Sequence, residues 1–595
     1  MAVKTRRYSA RDVTILVIGL GVAVIVNVGL IWGPTLASIG LSGTDWNGIG
    51  PLEWVGGQNY HDLAAEYPPF WSAVRNNLLW LGFLGLIATP FGLFCAVLLD
   101  RRLRLSRVYQ SALYMPVVLS LAVVGFIAQL VYSSDYGVLN AVTGLTVDWL
   151  GDSSINIWVV MVAAGWRHVG YVMIIYLAGL KAVDPALKEA AAIDGASERQ
   201  AFFRVVFPTL RPVNVIVLVI TVIEALRAFD IVYAINKGRN GLELLSVLVT
   251  ENIVGEASRI GFGSAIAVIL LAISLGFIVT YLSQMFKGRN DDAHRPRPRS
   301  PAQSRRTPSR PPVRPLRILL HAFLVLVGLG WLLPLALAVY ASLRPYEETA
   351  RLGYFSLPEH LTLDYYGEAW SQAELPHYYL NTLIIVVPGV LVTLFLASFT
   401  AFAIARLRIP GRKALLIVFT AGNLLPPQVL ITPLYTLYTL IPLPEWLSDS
   451  QSLYDSYLGL ILIHVAFQFG FCVFVMANFM RTIPEEITEA ALVDGASVWK
   501  RYWRLTLPLC RPVLAALSTL QFTWMYNDFL WALVLMSSGD KLPVTSALNN
   551  LRGQFFTDYN LLAAGSVLVA LPTLIVFQLL HKQFVAGLTL GATKG

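Results

Sequence analysis

Long apolar stretches alternate with short polar segments along the whole chain. Each stretch reaches the roughly 20 residues that an α-helix needs to cross the hydrocarbon core of a bilayer. The pattern therefore predicts an all-α membrane protein with twelve transmembrane helices. The predicted spans are residues 13–39, 78–99, 111–131, 156–180, 213–235, 262–286, 318–343, 381–405, 413–440, 459–479, 513–536 and 561–585.

Basic residues are concentrated in alternate connections between these spans. If the amino terminus lies inside, the inside connections hold most of the 44 Lys and Arg residues. Cytoplasmic loops of membrane proteins carry this excess. The distribution predicts a multi-pass protein with both termini in the cytoplasm. The net charge of +8 then reflects orientation in the lipid bilayer, and no nucleic-acid partner is needed to explain it.

The overall composition agrees with a membrane setting. Only 13% of the residues are charged and 56% are hydrophobic, whereas a soluble domain carries roughly 25% charged residues. A soluble multidomain enzyme is therefore disfavoured. The three cysteines are too few for a disulfide framework.

One segment, residues 287–317, is polar and rich in Pro, Arg and Ser. Such a composition favours an extended, solvated chain, so the segment is interpreted as a cytoplasmic linker. Contact of its arginines with lipid headgroups is a second interpretation. The linker divides the chain into a first half, residues 1–286, and a second half, residues 318–595.

The two halves contain a repeated block. Residues 189–197 read EAAAIDGAS and residues 489–497 read EAALVDGAS, and further matches follow at the same offset of 300 residues. Both blocks lie between the fourth and fifth predicted spans of their half. Glu-Ala-Ala favours a helix, and Asp-Gly favours a sharp turn after it. Each half is thus predicted to be a six-span unit with a helix–turn–helix on its cytoplasmic side.

The repeated block resembles the EAA motif of the membrane subunits of binding-protein-dependent ABC importers. Segments 70–77, 363–366, 379–383, 527–531 and 584–595 are similar to the two companion permeases of maltose-type carbohydrate importers. The resemblance covers nearly the whole chain apart from the linker. It implies two six-helix permease subunits fused into one chain, located in the bacterial cell (inner) membrane.

The resemblance also implies a function and partners. The chain would be the permease of an ATP-driven importer, moving a sugar or oligosaccharide by alternating access, and would not itself be an enzyme. Two ABC ATPase subunits would dock at loops 181–212 and 481–512, and an extracytoplasmic sugar-binding protein would dock at the outer loops. ATP and Mg would be bound by the ATPase subunits and no cofactor by this chain, which contains no G-x-x-x-x-G-K-[ST] pattern. The implied coupling residues are Glu189, Ala190, Ala191, Asp194, Gly195, Glu489, Ala490, Ala491, Asp494 and Gly495.

Polar residues inside the predicted spans are candidates for the substrate pathway, since ionisable groups there are costly and usually functional. Glu224, Arg227 and Asp230 are spaced by three residues and are expected on one helix face, where they either neutralise one another or line the pathway. Amide, acid and Trp side chains in the second half suit sugar binding, although Trp also forms interfacial belts. The candidates are Glu224, Arg227, Asp230, Gln468, Trp524, Asn527 and Asp528.

Two alternative functions remain open at this stage. A fused ABC permease for a non-sugar cargo, such as iron or thiamine, has the same repeated block. A secondary transporter of the major facilitator type also has twelve spans and a central linker, but it needs no paired helical hairpins at 181–212 and 481–512. A membrane-embedded enzyme finds no support, because no nucleophile–base pair or metal-ligand cluster is recognisable.

Overall fold

The computed structural model describes residues 9–101, 103, 105–134, 137–253, 259–292, 314–353, 356–407, 409–551 and 558–590. Within these ranges the secondary structure is helical, apart from two isolated antiparallel bridges between single residues. The expectation of an all-α protein is therefore confirmed for the described part of the chain.

The helices that position the site follow the same order in each half. Those of the first half are α1 (Ala10–Leu41), α2 (Pro68–Asp100), α3 (Ser106–Val118), α4 (Leu121–Tyr132), α5 (Asn156–Ala182), α6 (Pro185–Ile193), α7 (Arg211–Leu226), α8 (Asp230–Asn236) and α9 (Ile260–Asp292). Those of the second half are α10 (Arg314–Ser342), α11 (Leu375–Arg406), α12 (Arg412–Leu424), α13 (Pro427–Leu440), α14 (Tyr457–Met480), α15 (Glu485–Val493), α16 (Arg511–Tyr526), α17 (Leu530–Leu535) and α18 (Tyr559–Leu590).

The number of continuous spans differs from the predicted twelve. Eight helices of the described part are long and apolar enough to cross a membrane, and three bent pairs raise the count to eleven if each pair is one span. The remaining predicted span, 213–235, is interrupted, because α7 ends at Leu226 and α8 begins at Asp230. Hydropathy misses this break because Ala228 and Phe229 are as apolar as the helices around them.

The bends have local causes. Between α3 and α4 the angle is 100°, and the Ser120 hydroxyl accepts a hydrogen bond from the Val123 N–H at 3.1 Å to start α4. Between α12 and α13 the angle is 98°, and Leu425 is extended ahead of Pro426 and Pro427. Proline lacks an N–H and disfavours a helical residue before it. Both bends leave helix-end carbonyl groups in the interior of the protein.

The first helix of each half packs against the other half. On α1, Asn27 Nδ2 donates to the Ala466 carbonyl at 3.4 Å, and Trp32 Nε1 donates to the Val418 carbonyl at 3.3 Å. On α10, the carbonyl of Trp331 accepts from Trp166 Nε1 at 2.8 Å. The two halves are therefore interlocked, and the buried core is shared between them.

The linker predicted at 287–317 overlaps the ends of two helices. Residues 287–292 belong to α9 and residues 314–317 belong to α10. The rest of it, residues 293–313, lies outside the described residues.

Candidate functional site

The repeated block forms two equivalent surface helices, α6 and α15. Ile193 ends α6 with 86% of its surface exposed, and the equivalent Val493 ends α15 with 85% exposed. One helical turn and a half earlier, Leu187 and Ile487 are also exposed. Exposed apolar side chains at matching positions, with charged neighbours, are typical of an interaction surface.

The turn after each helix needs its glycine. Gly195 has φ +80° and Gly495 has φ +72°, a region that residues with a Cβ rarely adopt. In the first block the N–H of Ala196 donates to the Ala191 carbonyl at 3.0 Å, and that of Gly195 donates to the Ala192 carbonyl at 3.2 Å. The second block repeats this pattern at 2.9 and 3.1 Å. This pair of bonds satisfies the last helical carbonyls and reverses the chain direction.

The ten residues implied to couple to the ATPases differ in solvent exposure. Ala191 is buried and Ala491 is half-buried, so their methyl groups pack against the protein. The remaining eight are exposed, namely Glu189, Ala190, Asp194, Gly195, Glu489, Ala490, Asp494 and Gly495.

Each surface helix is tied to the second span of its half. Lys188 on α6 forms an ion pair with Asp100, at the end of α2, with an N–O distance of 3.0 Å. In the second half, Arg406 at the end of α11 donates to the Ile483 carbonyl just before α15 at 2.5 Å. Each surface helix is therefore connected by a polar contact to a long span.

A cavity of about 280 Å³ lies between the halves where the broken helices meet. Such a volume is close to the lower end of the range for small-molecule sites, roughly 300–1,000 Å³. The first half contributes charged and phenolic groups and the second half mainly aromatic groups. Those that define its chemistry are Arg167, Tyr171, Glu224 and Arg227 from the first half and Asn423, Phe471, Phe474 and Trp524 from the second.

Glu224 is held by two side chains of α5. One carboxylate oxygen contacts His168 Nδ1, and the other lies 3.9 Å from Arg167. The buried His168 ring also contacts the hydroxyls of Thr89 at 3.1 Å and Thr221 at 3.3 Å. These contacts fix the carboxylate of Glu224 at the cavity wall.

Arg227 reaches across to the second half. Its guanidinium donates to the Asn423 carbonyl at 3.0 Å and to the Leu425 carbonyl, and lies 5.0 Å from the centre of the Phe467 ring. A cation at carbonyl groups that end a helix is electrostatically favourable. The expectation that Glu224, Arg227 and Asp230 share one helix face is wrong, because α7 ends before Arg227.

Asn527 makes the equivalent contact in the opposite direction. Its side-chain amide donates to the Val118 carbonyl, at the end of α3, at 2.8 Å. Asn527 and Arg227 are related by the 300-residue offset, and both follow a helix that ends just before them. The four helix breaks are thus joined in two pairs across the interface between the halves.

The aromatic wall of the cavity is formed by the second half. The rings of Trp524 and Phe471 pack edge to face with centroids 5.2 Å apart. Trp524 occupies the position equivalent to Glu224. These two equivalent positions therefore present a charge on one side of the cavity and an aromatic face on the other.

Four of the predicted pathway residues do not line this cavity, namely Asp230, Gln468, Asn527 and Asp528. Asp528 accepts from the N–H groups of Trp531 at 3.3 Å and Ala532 at 3.2 Å, so it caps α17. Asp230 begins α8, and Gln468 is a half-buried residue of α14.

The sequence interpretation missed His168 and Asn423 and left Arg167 and Tyr171 out of the site. A signal for His168 was present, because the 300-residue offset pairs it with the candidate Gln468. No pattern in the sequence marks Asn423, whose backbone carbonyl is the contacting group. Among the described residues, no group of three or more His, Cys, Asp or Glu side chains could hold a metal ion.

Two segments of the chain, residues 88–291 and 378–589, match the family described as "Binding-protein-dependent transport system inner membrane component". Together they cover more than half of the chain. Each half of the chain contains one copy of the matched unit.

Individual relatives match about half of this chain and most of their own length. A probable ABC transporter permease protein of Pyrococcus horikoshii is 33% identical over 44% of this chain and 92% of its own. The diacetylchitobiose uptake system permease protein NgcG of Streptomyces coelicolor is 29% identical over 46% and 87%. The alpha-glucoside transport system permease protein AglG of Rhizobium meliloti is 35% identical over 40% of this chain and 62% of its own. A chain made of two permease units accounts for these proportions.

Among solved structures, this chain is similar to a bacterial ABC transporter involved in the import of the acidic polysaccharide alginate. The match has a TM-score of 0.41 and 20% identity, and it covers 47% of this chain and 96% of the other.

Proposed function

Since the chain belongs to the family of binding-protein-dependent transport system inner membrane components, we propose that it supplies both permease halves of an ATP-driven importer for a sugar or oligosaccharide. The cavity between the halves carries this proposal, because it pairs charged groups with aromatic faces. A sugar presents hydroxyl groups around its rim and an apolar face, and this pairing suits both.

The relatives support a sugar as cargo. Two of them are named for α-glucosides and diacetylchitobiose, and a third, from Haloferax volcanii, is named a xylose/arabinose import permease protein. In this chain, Glu224 and Arg167 would accept and donate hydrogen bonds to hydroxyl groups, and Trp524 would pack against a sugar ring. A fused permease for iron or thiamine remains the alternative. A major facilitator carrier is incompatible with the family.

The proposed topology has twelve spans with both termini in the cytoplasm. It counts the eight long helices, the three bent pairs and, as the twelfth, α7 of the first half, whose equivalent α16 is part of a bent pair. The concentration of Lys and Arg in alternate connections supports this orientation. It directs α6 and α15 toward the cytoplasm.

The two surface helices are the proposed docking sites for two ATPase subunits, which would bind ATP and Mg and perform the hydrolysis. Ile193 and Val493 would enter apolar grooves of those subunits, and Glu189 and Glu489 would face their basic residues. Because α6 and α15 are equivalent, two identical or similar ATPases can dock in the same way.

The paired helix breaks support alternating access as the transport mechanism. In the state described, Arg227 and Asn527 join the two halves next to the cavity, and these contacts would close the route between the halves. Closing of the ATPases would move α6 and α15, and through Lys188–Asp100 and Arg406–Ile483 the long spans, so that the paired breaks separate. A binding protein at the outer loops would then deliver the sugar. Discontinuous helices at the substrate site are common among transporters.

The sugar assignment is tested with the transporter reconstituted in liposomes with its ATPase subunits and binding protein. We expect ATP-dependent uptake of a labelled oligosaccharide, and a KM for uptake about tenfold higher in Trp524→Ala, since an aromatic contact contributes about 0.5–1.5 kcal/mol. Trp524→Phe should retain most of the affinity, and Phe395→Ala, at a ring on α11 that is 46% exposed, is the control.

Different failures have different meanings. Uptake of thiamine or iron without any sugar uptake would contradict the cargo and leave the importer intact. Sugar uptake that proceeds without ATP would contradict the importer itself.

A further inference from the structure

An apolar groove runs along α2 and continues beneath α10. Its open part, about 610 Å³, follows α2 from Trp71 to Ile87, and its deeper part, about 330 Å³, is enclosed by α2, α4, α5 and α10. Phe83 and Ile87 line both parts, so the two parts adjoin along α2. This path is separate from the cavity between the helix breaks.

The helix α10 carries a proline at the wall of the deep part. Pro334 lacks the N–H that would bond to the carbonyl of Gly330, and both residues line the pocket. Phe91, Trp166 and Trp331 form much of its wall. The surface is almost wholly apolar, so water is a poor occupant.

The groove opens toward the membrane. Leu86 is 80% exposed and Ile87 is about half exposed, although both lie in the middle of a long span, and Val162 near the start of α5 is also about half exposed. Apolar side chains exposed at that depth face hydrocarbon. An empty pocket there would leave its wall without van der Waals partners.

The mouth of the groove carries a positive charge. Arg75 lines the open part, and its guanidinium makes one long hydrogen bond, 3.5 Å to Asn76 Oδ1, with no carboxylate of the described residues in ion-pairing distance. The exposed side chains of Trp71 and Trp158 flank it. Trp at this level is typical of the boundary between headgroups and hydrocarbon, and a guanidinium matches the geometry of a phosphate.

The length of the path fits one leaflet. Twelve residues separate Arg75 from Ile87, which is about 18 Å along a helix, and half of the hydrocarbon core is about 15 Å. The mouth lies near the start of α2, opposite the Asp100 end that contacts α6. A phosphate at Arg75 would therefore place an acyl chain end in the deep pocket.

We propose that this groove binds one membrane phospholipid, with its phosphate on Arg75 and one acyl chain running past Gly82 into the pocket against Trp331. The bound acyl chain would fill the space between the first half and α10, the helix of the second half that packs against the first half. The site is independent of the transported substrate.

The proposal is tested by photo-crosslinking. The full chain, with its ATPase subunits, is reconstituted with a trace of phosphatidylglycerol that carries a diazirine on one acyl chain, and labelled peptides are mapped by mass spectrometry. We expect strong labelling of residues 78–91 and 162–169. Gly82→Leu should reduce it at least fivefold, because an added Cβ at Gly82 meets no atom within 4 Å and the larger side chain would occupy the groove.

Three comparisons complete the design. Gly85→Leu is the matched control, since Gly85 is equally unobstructed on the same span but does not line the groove, and its labelling should equal that of the wild type. Leu86→Trp blocks the groove from a second position. Arg75→Gln should lower labelling severalfold by removing the phosphate contact.

Labelling at the exposed Leu391 of α11 serves as the reference for bulk lipid and for correct folding in every variant. Equal groove labelling in Gly82→Leu and Gly85→Leu, after normalisation to that reference, would overturn the site. If Gly82→Leu loses groove labelling while Arg75→Gln keeps the labelling of the wild type, the headgroup contact is wrong.

Discussion

At the scale of single residues, the two halves place different chemistry at the same position. In the first half these positions hold charges and an imidazole, and in the second half they hold aromatic rings and amides. The hydrogen bonds differ accordingly, but Arg227 and Asn527 both donate to a helix-end carbonyl of the other half. The equivalent pairs are Arg167 and Phe467, His168 and Gln468, Glu224 and Trp524, and Arg227 and Asn527.

Arg227→Met tests whether this contact holds the halves together. The substitution leaves the Asn423 and Leu425 carbonyls without their charged donor, and hydrogen bonds to charged groups contribute about 1.5–3 kcal/mol each. We expect the ATPase rate without substrate to rise severalfold and the melting temperature to fall by several degrees. Arg239→Met, at an exposed arginine beyond α8, is the control. An unchanged basal rate with only a higher KM would mean that Arg227 acts on the substrate instead.

At the scale of elements, α6 and α15 have the same form because the same short sequence is repeated. The turn at Gly195 and Gly495 depends on positive φ, while the space around both glycines is open. A substitution there changes the backbone and not the packing. Substitutions at these two glycines therefore test the backbone geometry of the turn without changing side-chain contacts.

The double variant Gly195→Val, Gly495→Val should uncouple ATP hydrolysis from transport. A β-branched residue in this conformation costs at least about 1–2 kcal/mol per site, so the chain would leave the turn and displace the apolar ends of α6 and α15. We expect uptake to fall more than tenfold. Asn at both positions tolerates positive φ and should restore most of the uptake. Wild-type uptake and ATPase rates in the Val variant would remove the coupling role.

At the scale of the whole molecule, α1 and α10 join the halves, because each is the first helix of its half and packs against the other half. Asn27 and Trp32 bind backbone carbonyls of the second half, and Trp331 accepts from the first. The covalent connection between the halves mainly raises their effective concentration for one another. Contacts between the halves should then suffice for assembly.

A chain divided after Ser300 tests this. Fragments 1–300 and 301–595, expressed together, should copurify through a tag on one of them and restore at least half of the uptake. Deleting residues 1–41 from the first fragment removes α1 and should abolish copurification. Failure of the complete fragments to associate, with each present in the membrane, would show that the connection itself is required.

Much of the fold and part of the cavity were predictable from the sequence, because the interactions that determine helices and turns are local. Apolar length predicted helices in a membrane, and the repeated block predicted two matching helix–turn units. The positions of Glu224, Arg227 and Trp524 as polar or aromatic groups inside spans also identified part of the cavity. The break after Leu226 was not predictable, because Ala228 and Phe229 are apolar and a single charged residue such as Arg227 is compatible with a continuous span.

The sequence alone thus determined the membrane setting, the duplication and the surface helices, since hydropathy, the 300-residue offset and the Asp-Gly turn act within short segments. The tertiary structure decided which groups meet: Glu224 with His168, Arg227 with the end of α12, Asn527 with the end of α3, and α10 with the apolar groove. These contacts join residues far apart in the chain, and several of them use backbone carbonyls, which every residue has. The contacts that use backbone carbonyls therefore leave no pattern in the sequence.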